Sequence, residues 1–269
     1  MTPRPISSPR GDATDRDVCE LAMYAGRVLL ENGAELFRVE DTIRRINLAY
    51  GIESADAFVL SNGIFLTAGS GREETFARVR HIPIASSHLD KVAAVNQLSR
   101  EIAAGKHTVK EATLALDRIR AMPQKKKGYQ ILASAIGSCA FCHLFGGGPT
   151  DMLTALIVGA VLWLALLYPL SKPQSGIVQN LLCGSLTAGL SVLLWKAGLG
   201  SDLSAIISGS IIPLIPGLAF TTAIRDLSNR DYISGLVRLL DALIIIFSVA
   251  MGVGVTISLL HKLMGGILL

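Results

Sequence analysis

The sequence predicts a polytopic α-helical membrane protein with an N-terminal cytoplasmic α/β domain. Of its 269 residues, 51% are hydrophobic and only 17% are charged, whereas soluble domains average about 25% charged residues. The charge is also uneven, because 35 of the 46 charged residues lie in residues 1–127 and only 11 lie in residues 128–269. We therefore expect a soluble first part and a membrane-embedded second part.

Five stretches without Asp, Glu, Lys or Arg predict five transmembrane helices in the second part. Each stretch has 20 to 23 residues, and a helix needs about 20 apolar residues to cross about 30 Å of hydrocarbon. A large soluble helical core would instead carry charged residues on the outer face of each helix. The predicted transmembrane domain covers residues 128–265, with spans at about 129–146, 152–170, 176–195, 203–222 and 236–260.

Basic residues in the loops predict the orientation in the membrane. Lys and Arg concentrate on the cytoplasmic side of spanning helices. The loops on one side carry Lys125 to Lys127, Lys172, Arg225 and Arg230, whereas the other side has only Lys196 and Lys262. This bias predicts a multi-pass membrane protein with a cytoplasmic N-terminus and an external C-terminus. No apolar core typical of a secretory signal occurs in residues 1–20.

The first part predicts a disordered tail, residues 1–14, and an α/β domain, residues 15–124. Asp15 or Asp17 is expected to cap a first helix. A second helix is expected after the break at Asn32-Gly33, and it ends near Gly51.

A small sheet and two more helices are expected to complete this domain. Asn62-Gly63 lies between two β-rich runs and predicts a hairpin. The run TFARVRHI then supplies a third strand. One helix is expected from about Ser87 to Ala104, and another from Thr108, where Glu111 completes a capping box.

The predicted cytoplasmic domain contains no pattern of catalysis or metal binding. Its histidines, His81, His88 and His107, are scattered, and no phosphate-binding loop or dinucleotide fingerprint is present. We therefore predict neither an enzyme nor a cofactor or metal site, and a membrane-anchored enzyme with its active site in this domain is the alternative. The net charge of +4 requires no nucleic acid partner, because the Lys125 to Lys127 cluster accounts for most of the basic excess of the first part.

One short motif suggests a different class of protein. Cys139, Cys142 and His143 match the Cys-x-x-Cys-His pattern of covalent haem attachment. These residues lie within an apolar stretch of helical length, whereas haem attachment needs an exported and accessible segment. A cysteine buried in a span behaves as a small hydrophobe, so a haem-bearing redox protein is kept only as an alternative.

The loop FGGGPTD, residues 145–151, joins the first two predicted spans. Gly146, Gly147 and Gly148 allow a sharp turn before Asp151, which then lies near the positive N-terminal end of a helix. Two interpretations remain open at this point. Thr150 or Asp151 is a helix cap, or Asp151 binds a coupling ion or proton.

The fourth predicted span is interrupted within IIPLIPGLAFTTAIRD, residues 211–226. Pro213, Pro216 and Gly217 are expected to break the helix and to expose backbone groups at membrane depth. Transporters build substrate sites from interrupted helices of this kind, although a simple packing kink is the alternative. Thr221 places a hydroxyl just beyond the break.

Ionisable residues cluster around the start of the fifth predicted span. Asp226 belongs to a loop on the cytoplasmic side, whereas Arg238 and Asp241 stand three residues apart on one helix face. Charges within a span are costly unless they are paired or face water. The two side chains either form a neutralised structural pair, or Arg238 meets a substrate carboxylate while Asp241 carries a proton.

Four segments give the sequence a resemblance to a known family. The runs ENGAE, LSNGIFLTA, FGGGPTD and IIPLIPGLAFTTAIRDLSNRDYISGLVRLLDAL resemble the larger component of the threonine/serine exporter family. The resemblance implies a cytoplasmic N-terminal domain, five spans, and a second membrane unit that is fused in some members and a separate small subunit in others. The sequence resembles the split form of the family, because the chain ends after one five-span unit. The family motif positions matched are Asp151, Pro213, Pro216, Gly217, Asp226, Arg238 and Asp241.

The resemblance implies export of small amino acids or, in split members, of dicarboxylates such as succinate. We therefore expect a subunit of a secondary exporter in which Arg238 and the broken span meet the substrate carboxylate, and Asp241 or Asp151 carries the coupling proton. Five spans are few for alternating access. A second small multi-span membrane subunit, or a homo-oligomer, is the expected partner besides the small-molecule substrate and the lipid bilayer.

Overall fold

The computed structural model describes residues 10–69, 75–82, 88–170 and 175–263. Most of the expected tail, the start of the helix expected at Ser87, the orientation signal Lys172 and the last two residues of the predicted transmembrane domain lie outside the described residues. Within the described part, α-helices dominate and a single sheet has three strands.

Contacts divide the chain into two compact units that do not follow the chain order. The first unit contains residues 1–123 together with residues 218–239. The second contains residues 124–217 together with residues 240–269. Residues 218–239, which the sequence places with the membrane segments, therefore contact the N-terminal residues.

The N-terminal part of the first unit, up to residue 123, contains four described helices packed with a small sheet. The helices are α1 (Asp15–Glu31), α2 (Leu36–Ala49), α3 (Leu89–Ala103) and α4 (Val109–Arg120). Apolar residues recur along one face of each helix and meet in one core. Its largest fully buried side chains are Leu29, Leu36, Ile43, Ile46, Ile64, Leu66, Ile82, Ile102, Leu116 and Val18.

The sheet is an antiparallel meander of β1 (Ala55–Leu60), β2 (Gly63–Gly69) and β3 (Thr75–His81). The predicted hairpin is confirmed, with Leu60 paired to Gly63. Its two-residue loop is Ser61 and Asn62, so Gly63 belongs to the strand and not to the turn. Alternation in β2 buries Ile64, Leu66 and Ala68 against the helices.

Capping residues define where two helices of this unit begin. Thr14, and not Asp15 or Asp17, is the N-cap of α1, and Asp17 closes a capping box with it. The prediction of an aspartate cap was therefore wrong, because Asp17 lies at the third helical position and accepts the Thr14 N–H at 2.8 Å. The capping box of Thr108 and Glu111 at α4 is confirmed.

The remaining described helices are rich in apolar residues. They are α5 (Lys127–Leu144), α6 (Pro149–Leu167), α7 (Gly176–Lys196), α8 (Leu203–Ile211), α9 (Gly217–Ser228) and α10 (Tyr232–Leu263), and a short 3-10 turn, Ile212–Leu214, follows α8. Their lengths range from 9 residues in α8 to 32 residues in α10. The second unit holds α5 to α8 and the part of α10 from residue 240 onward.

Three of the described helices are long and apolar enough to cross a membrane: α6, α7 and α10. Residues 203–214 and α9 provide a fourth crossing if they are counted as one span bent locally by 64°. Helix α5, the first predicted span, has 18 residues and is not among them. The protein is thus a helical membrane protein, and the count of five spans stays a prediction.

Candidate functional site

A buried ion pair joins α9 to α10 within the first unit. Arg238 Nη1 lies 3.1 Å from Asp226 Oδ2, and the two side chains are 11% and 1% exposed. Among the described residues, no donor makes a hydrogen bond of suitable geometry to either oxygen of the Asp226 carboxylate. The carboxylate is therefore held by the charge of Arg238 and keeps unused capacity to accept a proton or a donor.

The ENGAE segment of the sequence, residues 31–35, supplies the other contacts of this pair. Arg238 Nη2 donates to the carbonyl oxygen of Ala34 at 3.2 Å. The Asp226 carboxylate also faces the backbone amide of Leu36, the first residue of α2. Because the N-terminus of a helix carries partial positive charge, α2 contributes to holding this carboxylate.

Glu35 links the same segment to a second arginine. It is buried at the N-cap position of α2, where its side chain makes no capping hydrogen bond. It pairs instead with Arg225 of α9 and, at 2.8 Å, with Arg38. Residues Glu35, Arg225, Asp226 and Arg238 thus form one charge cluster of alternating sign.

The hairpin turn makes a further contact with α10. The backbone amide of Ser61 donates to the buried hydroxyl of Ser234 at 3.2 Å. Two loops of the N-terminal sequence therefore contact the first turns of α10.

Arg238 and Asp241 do not pair with each other on one helix face, as one interpretation of the sequence expected. Arg238 pairs with Asp226, and Asp241 is exposed. The alternative of a neutralised pair between Arg238 and Asp241 is therefore wrong. Sequence reasoning missed Glu35, although ENGAE was one of the segments that carried the family resemblance.

The interrupted segment breaks as the prolines predict. Pro213 lies in the 3-10 turn, Pro216 precedes α9, and Gly217 is the first residue of α9. The regular hydrogen bonds of an α-helix, from each N–H to the carbonyl four residues earlier, are interrupted here. The Gly217 N–H instead donates to the carbonyl oxygen of Ile215, two residues earlier, at 2.8 Å. Thr221 is exposed, and its hydroxyl donates to the Leu218 carbonyl at 3.0 Å within α9.

Asp151 lies in the second unit as a buried anchor of two loops. Its carboxylate accepts the backbone amides of Ser201 at 2.6 Å, Asp202 at 3.0 Å and Gly148 at 2.9 Å, and the Ser201 hydroxyl at 3.1 Å. These four donors stabilise the charged form of the Asp151 carboxylate, so protonation of this carboxylate would weaken its hydrogen bonds. This environment favours a structural role for Asp151.

The cap of α6 differs from the predicted one. Gly148 is the N-cap, and Asp151 at the third helical position accepts its N–H. Thr150 makes no cap. Gly146 adopts φ +92°, which glycine tolerates best, and a side chain at Gly147 would collide with Cys142 Sγ at 2.6 Å. The glycine turn is therefore required by backbone geometry and packing.

The Cys-x-x-Cys-His motif lies on α5. Cys142 is fully buried and packs so closely against α8 that a Cβ at Gly209 would approach its backbone nitrogen to 2.5 Å. His143 is exposed. Cys142 therefore acts as a small core residue, as expected for a buried thiol.

Apolar helices of spanning length, a broken helix and a buried charge cluster are features of an integral membrane transporter. The chain belongs to the threonine/serine exporter family. The model of that family, described as “Putative threonine/serine exporter”, matches residues 20–260.

Two curated relatives are similar over most of this chain. “Probable succinate transporter subunit YjjP” of Escherichia coli (strain K12) is 23% identical over 254 residues, which are 91% of this chain and 95% of the relative. “Probable threonine/serine exporter” of Mycobacterium tuberculosis (strain ATCC 25618 / H37Rv) is 22% identical over 248 residues, which are 90% of this chain and 46% of the relative. No solved structure matches the chain significantly.

Proposed function

We propose that this protein is a subunit of a secondary exporter of the bacterial inner membrane, driven by an ion gradient. Its substrates would be small carboxylates, either threonine and serine or dicarboxylates such as succinate. Membership of the exporter family supports transport. The names of the two relatives support the two substrate classes.

The buried pair of Arg238 and Asp226 is the observation that carries this proposal. An arginine in a low-dielectric site binds a carboxylate well, because its planar guanidinium matches the two oxygens. A substrate carboxylate would replace Asp226 as the partner of Arg238. Asp226 then needs a new partner, because an unpaired buried carboxylate is strongly unfavourable.

The nature of that new partner distinguishes the two substrate classes. An amino acid brings its own ammonium group, which would pair with Asp226 while its carboxylate pairs with Arg238. A proton on Asp226 would then compete with the amino acid, and this competition produces exchange of proton for substrate. A dicarboxylate brings no cation, so Asp226 would have to be protonated when the dicarboxylate binds.

Asp241 and Asp151 are the other proposed carriers of the coupling proton. The four donors around Asp151 argue for a structural role. Asp241 is exposed and is compatible with a role in proton access. Pro213, Pro216, Gly217 and Thr221 would supply the irregular backbone and hydroxyl that line the substrate path.

We further propose that the exporter contains a second small multi-span membrane subunit or a second copy of this chain. The E. coli relative is named a subunit. The N-terminus would lie in the cytoplasm and the C-terminus outside, as the distribution of Lys and Arg predicts.

Efflux from preloaded vesicles tests the proposed function. Vesicles containing the full chain, with and without a candidate small membrane partner, are loaded with labelled serine, threonine or succinate under an imposed proton gradient. Retention of all three solutes in every case would refute export. Asp226→Asn and Arg238→Lys are expected to abolish gradient-driven efflux, whereas Asp231→Asn, which removes one charge in the loop before α10, is expected to preserve it.

The pH of the loaded compartment separates the substrate classes. Acidification is expected to slow efflux of an amino acid, because protons compete for Asp226, and to speed efflux of a dicarboxylate. If Asp241→Asn alone abolishes coupling and Asp226→Asn does not, the proton assignment to Asp226 is wrong.

A further inference from the structure

Three consecutive residues at the start of α2 contact the charge cluster. The pairs are Ala34 with Arg238, Glu35 with Arg225, and Leu36 with Asp226. All of these residues belong to the first unit. The connection between α1 and α2 is therefore part of the site that holds Arg238 and Asp226.

Three acceptors of this site have capacity for a further donor. Among the described residues, no donor makes a hydrogen bond of suitable geometry to the buried Asp226 carboxylate. The buried Ala34 carbonyl accepts one N–H from Arg238, and a carbonyl oxygen has two lone pairs. The Glu35 carboxylate pairs with two arginines and has about four acceptor positions. An ammonium group has three N–H donors and no acceptor, so it matches this set.

The three acceptors are neighbours in the structure. Asp226 and Ala34 contact the two terminal nitrogens of the Arg238 guanidinium, Nη1 at 3.1 Å and Nη2 at 3.2 Å. Glu35 follows Ala34 in the chain, and its charge acts on both Arg238 and Asp226. A small ligand bound to Arg238 therefore lies beside Asp226 and Ala34, with the charge of Glu35 close by.

The buried charges of this cluster are unbalanced. Asp226 and Glu35 are both buried carboxylates that act on Arg238, whereas Arg225 and Arg38 are about half exposed. Water and salt screen the charge of exposed side chains more strongly than that of buried ones. A substrate carboxylate that replaces Asp226 at Arg238 would bring a third carboxylate to one buried guanidinium. A second cation is then needed, because unpaired buried charge is strongly unfavourable.

We infer that Glu35, with Asp226 and the Ala34 carbonyl, binds the ammonium group of an amino acid substrate and selects this substrate over a dicarboxylate. The substrate carboxylate would bind Arg238 and the Leu36 amide, at the positive N-terminal end of α2. The second carboxylate of a dicarboxylate would instead meet Glu35 as a like charge. The inference rests on the proposed function, because it divides the proposed substrate site into a carboxylate subsite and an ammonium subsite.

Two solutes that differ only in the ammonium group test this inference. The full chain in lipid nanodiscs is equilibrated with labelled serine or with labelled 3-hydroxypropanoate, which is serine without its ammonium group, and equilibrium dialysis measures each Kd. We expect the unaltered chain to prefer serine. Glu35→Gln is expected to reduce this preference about ten-fold or more, which corresponds to the loss of one hydrogen bond to a charged group. The same variant should shift the preference between serine and succinate toward succinate.

Two further variants separate binding of the ammonium group from a structural role of Glu35. Glu31→Gln is the matched control, because Glu31 lies in the same segment but pairs with Arg27 of α1 at 2.6 Å. It should keep the preference of the unaltered chain. Glu35→Asp keeps the carboxylate and should retain most of the preference for serine. Circular dichroism checks that all three variants keep their helical content.

Three results would overturn the inference. These are equal binding of serine and 3-hydroxypropanoate by the unaltered chain, an equal loss of affinity for both solutes in Glu35→Gln, or the same fall in preference in Glu31→Gln. An equal loss for both solutes would identify Glu35 as a structural residue only. Because dialysis measures no transport, absence of efflux from vesicles with the serine preference intact would count against the export proposal alone.

Discussion

Replacement of Arg238 by methionine should strongly destabilise the protein, because it removes the partner of a buried carboxylate. The Asp226 side chain is 1% exposed and has no suitable hydrogen bond with the described residues to replace the ion pair. Breaking a buried pair from one side costs about 3–5 kcal/mol. For a chain of this size, that loss corresponds to a fall in Tm of about 6–20 °C.

Unfolding of the full chain in detergent, followed by circular dichroism, measures this loss. Arg225→Met is the matched control, because Arg225 is 56% exposed and Glu35 keeps Arg38 as a partner. An exposed pair contributes less than about 1 kcal/mol. The control should therefore unfold within a few degrees of the unaltered protein.

A double-mutant cycle separates the lost pair from other effects of the substitution. Asp226→Asn combined with Arg238→Met leaves no buried charge, so the double variant should recover at least half of the stability that Arg238→Met loses. Additive losses, with a coupling below about 0.5 kcal/mol, would refute the reasoning. So would a loss from Arg238→Met no larger than that from Arg225→Met.

Three further predictions, one of them with a matched control variant, test other parts of the structure by the same unfolding assay. Asp151→Asn places an amide among backbone N–H donors and should cost about 1–3 kcal/mol; unchanged Tm would contradict the four-donor site. Gly209→Leu should cost about 1–3 kcal/mol or more, because its Cβ would lie 2.5 Å from Cys142 N, whereas Gly137→Ala meets open space and should be neutral or slightly stabilising. Burial raises the pKa of Glu40, so the charged form disfavours folding, and this penalty develops as pH rises above the ordinary carboxyl pKa. Glu40→Gln should therefore raise Tm at about pH 7 and not at about pH 4, and an equal change at both would exclude the pKa shift as the cause.

Local elements of the fold were predictable because their signals lie within a few residues. The capping box at α4 joins residues only three apart, and the hairpin joins two adjacent strands. The break of the fourth predicted span follows from proline chemistry alone. The cap of α1 was predicted at Asp15 or Asp17, one or three residues too late, because Thr14 and these aspartates are all residue types that favour an N-cap.

The contacts of the candidate site could not be derived in this way. Arg238 and Ala34 are 204 residues apart, and Glu35 and Arg225 are 190 apart. The sequence spacing suggested Asp241, three residues after Arg238, as the partner of Arg238. The structure pairs Arg238 with Asp226 instead. Three of the four donors to Asp151 belong to Ser201 and Asp202, about 50 residues away, so from the sequence a helix cap and an ion site were equally good interpretations.

The amino-acid sequence by itself determined the class of protein, the apolar helices and the exporter family, because hydrophobicity, turn residues and short motifs act locally. Only the tertiary structure decided that Asp226 is the partner of Arg238 and that Glu35 belongs to the same cluster. It also showed Asp151 enclosed by donors and Asp241 exposed. Ion pairing depends on distance and burial in three dimensions, and residues far apart in the chain compete for the same charge.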